Sequence, residues 1–312
     1  MVDPAPRTAV LVLNWRRADL TLQCLADVLA VDDVPLEVLV IDNGSGDEGA
    51  AGLERRIAAL AREPHRTAFV ALPQNLGFAG GMNVGLRWAA ERGLPFALVL
   101  NNDVRLPRDF LRPLVSVLAN DPGVAAVGPT VLRGDGRVWA EGGRVALAPN
   151  VLRLGGHGRV PKPRESGPEA VQFLPGACVL FRVSAVMDVG AFDEAYFMYW
   201  EDVDLCDRLR ERGSRIVWLP WVRVVHDSGR SSGGNRSPLR KFFMACNEVR
   251  YLRRRGSLFL WCAFALFDVV LWPLSLFSGP RAAWAKLRGT FAGLRGHRAS
   301  AADVARFLGP RA

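Results

Sequence analysis

Three apolar runs in the first hundred residues constrain this chain more than anything else in it. Thr8 to Asn14 (TAVLVLN), Leu36 to Ile41 (LEVLVI) and Phe96 to Leu100 (FALVL) hold almost no polar residue between their ends. A strand with one wet face alternates apolar and polar residues, whereas a continuous apolar run needs cover on both faces. Thr67 to Leu72 reads as a shorter strand of the same kind. Between the runs, Leu20 to Leu29, Leu53 to Arg62 and Gly80 to Arg92 have helical spacing. Strands that alternate with helices predict an α/β fold with a parallel sheet covered on both sides. In such sheets ligands gather at the carboxyl ends of the strands. Polar residues stand at three of those ends: Asn14, Asp42-Asn43 and Asn101-Asn102-Asp103.

The second half is less regular. Arg133 to Pro168 is rich in Gly, Pro and Arg and reads as loops and short strands. Val171 to Phe181 restores a strand pattern, Ser184 to Val189 a short helix and Glu201 to Arg212 a stronger one. Ile216 to Leu219 and Val222 to Val225 read as two short strands, the second ending at His226. Asp227 to Ser237 is Gly- and Ser-rich, a composition that predicts a mobile loop.

Charge divides the chain. Residues 236–312 hold fourteen Lys/Arg against three acids, a net of +11, which leaves residues 1–235 at −2 of the chain's +9. A basic tail attracts nucleic acid or anionic lipid. Leu258 to Phe277 runs for 20 residues with only Asp268, Pro273 and Ser275 as interruptions, a length that could cross a bilayer. Arginines flank it on both sides, so charge assigns no orientation. A hairpin or a helix lying in the interface competes with a true span, and a buried core helix competes with both. Trp261, Trp272 and Trp284 beside those arginines favour membrane over nucleic acid, and no nucleic-acid signature is present. The five cysteines form no CxxC pair, and the first eight residues lack a secretory pattern, so a reduced cytosolic setting is expected.

Several residues could do chemistry. Asp103 at a strand end could hold a divalent cation that neutralises a diphosphate. Asp42 could accept hydrogen bonds from a base or ribose. Gln74 to Asn83 (QNLGFAGGMN) is neither a Walker A loop nor GxGxxG, yet its glycines let backbone approach a ligand at a helix start. Glu201, Asp202 and Asp204 open a helix, where one could be a general base. An acidic first helical turn is also an ordinary stabilising device. His226 closes a strand and could bind metal or phosphate, or be structural.

Taken in order, Asn14-Trp15, IDNGS, QNLGFAGGMNVGL, NND, PGACVLFR, GAFDEAYFMYWEDVDLCDRLRERG and His226 resemble the family 2 glycosyltransferases, over about residues 8 to 235. Within them the chain is similar to the bacterial rhamnosyltransferase-like branch. The resemblance implies a GT-A fold in residues 1–235, a mixed, mostly parallel sheet with helices on both faces, followed by a helical, membrane-associating segment in 236–312. It implies an inverting transfer from a nucleoside-diphosphate sugar with Mg2+ or Mn2+. By that analogy Asp202 is the base with Glu201 beside it, and Asp103 and His226 hold the metal. The donor is met by Asn14, Asp42, Asn43, Asn75, Gly77, Gly80, Asn83, Asn101, Asn102 and Arg230. The sequence departs from the family's DxD motif at Asn101, which adds no charge. The tail implies a glycan or polyprenyl-linked acceptor at the cytoplasmic face of the inner membrane, with the protein peripheral or monotopic. The rivals are a sugar nucleotidyltransferase, a non-catalytic binding module on the same fold, and a processive synthase, whose QxxRW motif is absent.

Overall fold

The apolar runs of the first hundred residues lie side by side. The computed structural model describes residues 6–60, 63–146, 152–161, 167–227, 237–270 and 272–308. Strands β1 (Thr8–Asn14), β2 (Leu36–Asp42), β3 (Arg66–Ala71) and β4 (Phe96–Asn101) alternate with helices α1 (Ala18–Leu29), α2 (Asp47–Leu60) and α3 (Gly77–Glu91). The four strands pair in parallel in the order β4-β1-β2-β3. Val10 and Val12 join one buried cluster and Ala9 and Leu11 the other, so β1 is covered on both faces and no position asks for a polar residue.

The chain continues through β5 (Val104–Arg105), α4 (Leu111–Asn120), β6 (Val124–Arg133), β7 (Val138–Ala140), β8 (Gly143–Val145), β9 (Leu152–Leu154), β10 (Glu169–Val171), β11 (Cys178–Arg182), α5 (Val183–Asp188), α6 (Glu201–Glu211) and β12 (Arg215–His226). One sheet takes ten of these strands in the order β10-β12-β6-β11-β4-β1-β2-β3, with β5 on β12 and β7 on β6. β11 runs antiparallel to β4 and β6, which makes the sheet mixed.

Where the sequence reads two strands there is one. β12 passes through Pro220 with a register shift between Leu219 and Arg223. Proline has no N–H for the ladder, so the strand bulges there and resumes. The freed carbonyl of Pro220 accepts from Thr130 Oγ1 at 3.2 Å. The extra reach carries His226 to β5, where it pairs with Val104.

The tail forms α7 (Pro238–Arg255), α8 (Leu258–Phe264), a π turn (Ala265–Val270), a 3-10 turn (Trp272–Ser278), α9 (Pro280–Leu294) and α10 (Ala301–Leu308). The 20-residue apolar segment is therefore two arms bent by 57°, and no single described helix is long and apolar enough to cross a membrane. Asp268 is 6% exposed and turns inward to Lys286, whose Nζ stands 2.5 Å from its Oδ1. Glu248 of α7 shares that buried site. Burial pushes its carboxyl up to about 8, with Asp268 adding to the shift and Lys286 opposing it. The outer side is apolar: Leu258, Phe259, Val270, Leu274 and Phe277 are exposed, Phe277 at 85%.

Two glycines seat α9 on α7. A Cβ at Gly289 would stand 2.3 Å from the carbonyl oxygen of Phe242, and one at Gly293 2.6 Å from that of Cys246. Val249, Tyr251, Leu252 and Phe264 belong to the same core as Trp200 and Val203, so the core runs without a break across residue 235.

Candidate active site

The carboxyl ends of β1, β2 and β4 are tied by a chain of polar side chains. Asn14 Nδ2 donates to Asp42 Oδ1 at 2.6 Å, and Asn14 Oδ1 accepts from Thr21 Oγ1 at 2.7 Å. The same Thr21 oxygen accepts from Asn102 Nδ2 at 2.9 Å. Asp42 Oδ2 also accepts from the backbone N–H of Ser45 at 2.9 Å. Thr21 leaves only a faint mark in the sequence, one hydroxyl within the apolar stripe of α1, and in the structure it is fully buried. Beside this network, Asn14, Arg16, Ala18, Ser45 and Gly49 line a cleft of about 330 Å³.

Asn43 and Asn75 shape the next loop. Asn43 Nδ2 donates to Asn75 Oδ1 at 3.1 Å and to the Gly77 carbonyl at 3.0 Å, while its Oδ1 accepts from Leu76 N at 2.9 Å. Gly77 has φ +74, and a Cβ there would stand 2.4 Å from the carbonyl oxygen of Phe197. Only glycine satisfies both conditions. At Gly80 a Cβ would meet Leu76 Cβ at 2.7 Å. Asn83 lies farther along α3 and spends its amide on the 190s: Nδ2 donates to Phe192 O and Glu194 Oε1, and Oδ1 accepts from Phe192 N. The structure thus gives Asn43, Asn75 and Asn83 scaffold contacts, binding the strand end, the glycine loop and residues 190–200 to one another.

A short turn joins the two carboxylate motifs. Ala177 O accepts from Asn101 N at 2.9 Å, and the neighbouring Gly176 N donates to Asp202 Oδ2 at 2.9 Å. Asp202 Oδ1 accepts from Val203 N at 2.8 Å. Burial raises the Asp202 carboxyl above its ordinary value, and these two N–H groups oppose the rise. Glu201 is 5% exposed, and its Oε2 has no hydrogen-bond partner among the described residues. Burial, and then the neighbouring Asp202 charge, push its carboxyl well up. Burial thus raises both neighbouring carboxyls above the ordinary carboxylate range.

His226 and Asp103 meet because β5 and β12 pair. Nε2 of His226 stands 3.1 Å from Oδ1 of Asp103, both residues being buried. Asp227 N donates to Asp103 O at 3.0 Å, and the Trp139 ring packs edge-on to the imidazole at 4.7 Å. Nδ1 of His226 has no partner among the described residues. No group of three or more His, Cys, Asp or Glu arranged to hold a metal ion occurs among the described residues. Arg230 lies outside the described residues, with most of the Asp227 to Ser237 loop.

Comparison with known proteins gives the family and the fold. The model for glycosyl transferase family 2 matches residues 9–190. N-acetylglucosaminyl-diphospho-decaprenol L-rhamnosyltransferase of Mycobacterium tuberculosis is 32% identical over 231 residues, 67% of this chain and 72% of that protein. Poly-beta-1,6-N-acetyl-D-glucosamine synthase of Staphylococcus aureus is 25% identical over 263 residues, 80% of this chain and 60% of that protein. Among solved structures, a mannosyltransferase from Pyrobaculum calidifontis in complex with GDP-Man and Mn2+ superimposes with a TM-score of 0.60 at 19% identity, covering 97% of this chain and 79% of its own. GalNAc-T7 with UDP, GalNAc and Mn2+ gives 0.62 at 15% identity, covering 99% of this chain and 59% of its own. At those identities the likeness is one of fold, the GT-A fold. With the matched family model spanning more than half its length, the chain belongs to the family 2 glycosyltransferases.

Proposed function

We propose that this glycosyltransferase moves a sugar, rhamnose by analogy with its Mycobacterium tuberculosis relative, from a nucleoside diphosphate to a hydroxyl of a lipid-linked glycan, with inversion, at Asp202. The observation that carries this is the Gly176-Ala177 turn, which holds Asp202 and the end of β4 in one site. Asp202 takes the proton of the acceptor hydroxyl as that oxygen attacks the anomeric carbon. The bond to the diphosphate breaks, and the nucleoside diphosphate departs with the electron pair. Glu201 lies beside Asp202, its carboxyl pushed well up by burial and then by the Asp202 charge. Asp42 is buried behind Asn14 and Ser45, which hold it by hydrogen bonds and themselves line the cleft where base or ribose would dock.

Asp103 and His226 would hold Mg2+ or Mn2+. A carboxylate and an imidazole are donors that suit such an ion, and Nδ1 of His226 is committed to no other partner among the described residues. Such an ion supplies charge to stabilise the leaving diphosphate. Residues 1–235 are read as the transferase body. Within residues 236–312, α7 packs into that body's core and the segment after it is read as a monotopic platform whose exposed Leu258, Phe259, Leu274 and Phe277 enter the cytoplasmic face of the inner membrane, where a polyprenyl-linked acceptor resides.

The test is product analysis with full-length protein, a polyprenyl-diphosphate glycan and Mn2+, scanning dTDP-rhamnose, UDP-galactose, UDP-glucose and GDP-mannose. Release of nucleoside diphosphate with glycan extension, abolished by EDTA, is expected. Pyrophosphate as product would replace the reading with nucleotidyl transfer.

A further inference from the structure

The loop that delivers Asp202 is held from outside the span matched by the family model. Residues 197–200 lead directly into α6, and three of them adopt left-handed backbone: Phe197 at φ 62, Tyr199 at φ 67 and Trp200 at φ 75. Bulky side chains persist in that region only where the surroundings impose it. The surroundings are visible. Nδ2 of Asn247, in the middle of α7, donates to the carbonyl oxygens of Tyr196 at 2.8 Å, Met198 at 2.8 Å and Tyr199 at 3.0 Å. The carbonyl between them, that of Phe197, accepts from Ala79 N at 3.1 Å, at the start of α3. Four successive carbonyls are therefore fixed, three of them by one side chain. Asn247 is fully buried, and its Oδ1 has no hydrogen-bond partner among the described residues. Three carbonyls around one nitrogen require that nitrogen to be a donor, so the amide acts here through its N–H groups.

The rest of α7 is anchored to suit. One turn on, the Tyr251 ring packs against Trp200 at 5.0 Å, and its hydroxyl donates to Asp207 Oδ2 at 2.6 Å. Arg255 reaches Asp204 at 3.5 Å. On its other side, α7 is registered by Gly289 and Gly293 of α9 at Phe242 and Cys246. Asn247 follows Cys246 directly.

We propose that Asn247 is a positioning residue for transfer: it fixes the left-handed turn before α6 and thereby aims Asp202 at the acceptor oxygen. The inference rests on the reading of Asp202 as base. It also makes α7 part of the catalytic body and not of a detachable tail.

The experiment uses full-length Asn247→Asp, which keeps the shape but not the donor pair, and Asn247→Gln, which keeps the donors on a longer stem. Thermal unfolding, calorimetric dTDP binding and kcat with dTDP-rhamnose are measured for each, beside Asp202→Asn. A misplaced reacting group costs on the order of 100-fold. Asn247→Asp should lose about that in kcat, with dTDP affinity within about twofold of wild type. Asn247→Gln should recover part of the loss. A kcat within about threefold of wild type in folded Asn247→Asp would overturn the proposal. So would kcat and dTDP affinity falling together, no recovery in Asn247→Gln, or no cooperative unfolding in either variant, since each marks a structural role. If Asp202→Asn keeps more than about a tenth of the rate, the base assignment is what fails, because general base catalysis supplies more than that; Asn247 is still judged on its split between kcat and binding.

Discussion

Glu248 gives a quantitative test of the buried site under the tail. Its carboxyl moves from 4.5 to about 8 on folding, chiefly because burial disfavours the charge, with Asp268 adding and Lys286 subtracting. A raised carboxyl binds its proton more tightly in the folded chain. Its stabilising effect is therefore whole below about pH 4.5 and is lost as pH rises toward 8. At 1.36 kcal/mol per pH unit, the loss between pH 5.5 and 8.5 is about 3 kcal/mol. Glu248→Gln keeps the volume and removes the proton equilibrium. Its melting temperature relative to wild type should rise by about 6 °C across that interval, taking about 2 °C per kcal/mol for a chain of this size. The assay is thermal unfolding of both proteins at half-unit pH steps in matched ionic strength. Only the difference between the two curves matters, because titrating groups outside the Glu248, Asp268 and Lys286 cluster cancel in it. A difference that stays flat from pH 5.5 to 8.5 would refute the argument, for Glu248 would then be ionised in the fold at neutral pH.

Three other outcomes are expected. Gly77→Ala places a Cβ 2.4 Å from Phe197 O at φ +74 and should cost at least about 2 kcal/mol of stability by urea unfolding, from the left-handed backbone penalty plus the clash. With Asp202 as the proposed base, activity is present above its pKa and lost as pH falls through it; since burial raises that pKa, the acid limb of kcat/KM should lie above the ordinary carboxylate value of about 3.9. Phe259→Asp with Phe277→Asp should weaken binding to phosphatidylglycerol vesicles by about tenfold or more in flotation assays, from lost apolar burial, and leave turnover of a soluble short-chain acceptor unchanged.

What could be read from the sequence follows from how local its causes are. The parallel core was legible because a strand covered on both faces writes itself as an uninterrupted apolar run, as in Thr8 to Asn14. The polar strand ends were legible for the same reason, since Asp42 and Asn101 interrupt such runs. The meeting of Asp103 with His226 was not, because it depends on β5 pairing with β12 across more than a hundred residues and on a bulge at Pro220. The division of labour among asparagines was hidden as well. Asn43, Asn75 and Asn83 stand in a glycine-rich loop that reads as a ligand cradle, yet their amides are consumed by backbone groups near residues 76, 77 and 192. The 20-residue apolar segment had the length of a span, but it forms two arms, and its Asp268 is turned inward to a Lys286 that no local pattern announces.

The left-handed turn at Phe197, Tyr199 and Trp200 has a consequence for how such an enzyme can be improved. Each of these residues costs about 1–2 kcal/mol in that conformation, which glycine would avoid. The sum, about 3–6 kcal/mol, is a large share of the 5–15 kcal/mol that keeps a typical protein folded. Glycine at 197 would relieve that backbone cost only by giving up a ring that is 4% exposed and stacked on Phe243, and losing a buried Phe costs about 3–5 kcal/mol. The strain is therefore held in place by the packing of the same side chains that bear it. A glycine there should lower the melting temperature and loosen the turn together, so stability and the aim of the next carboxylate rest on the same few rings.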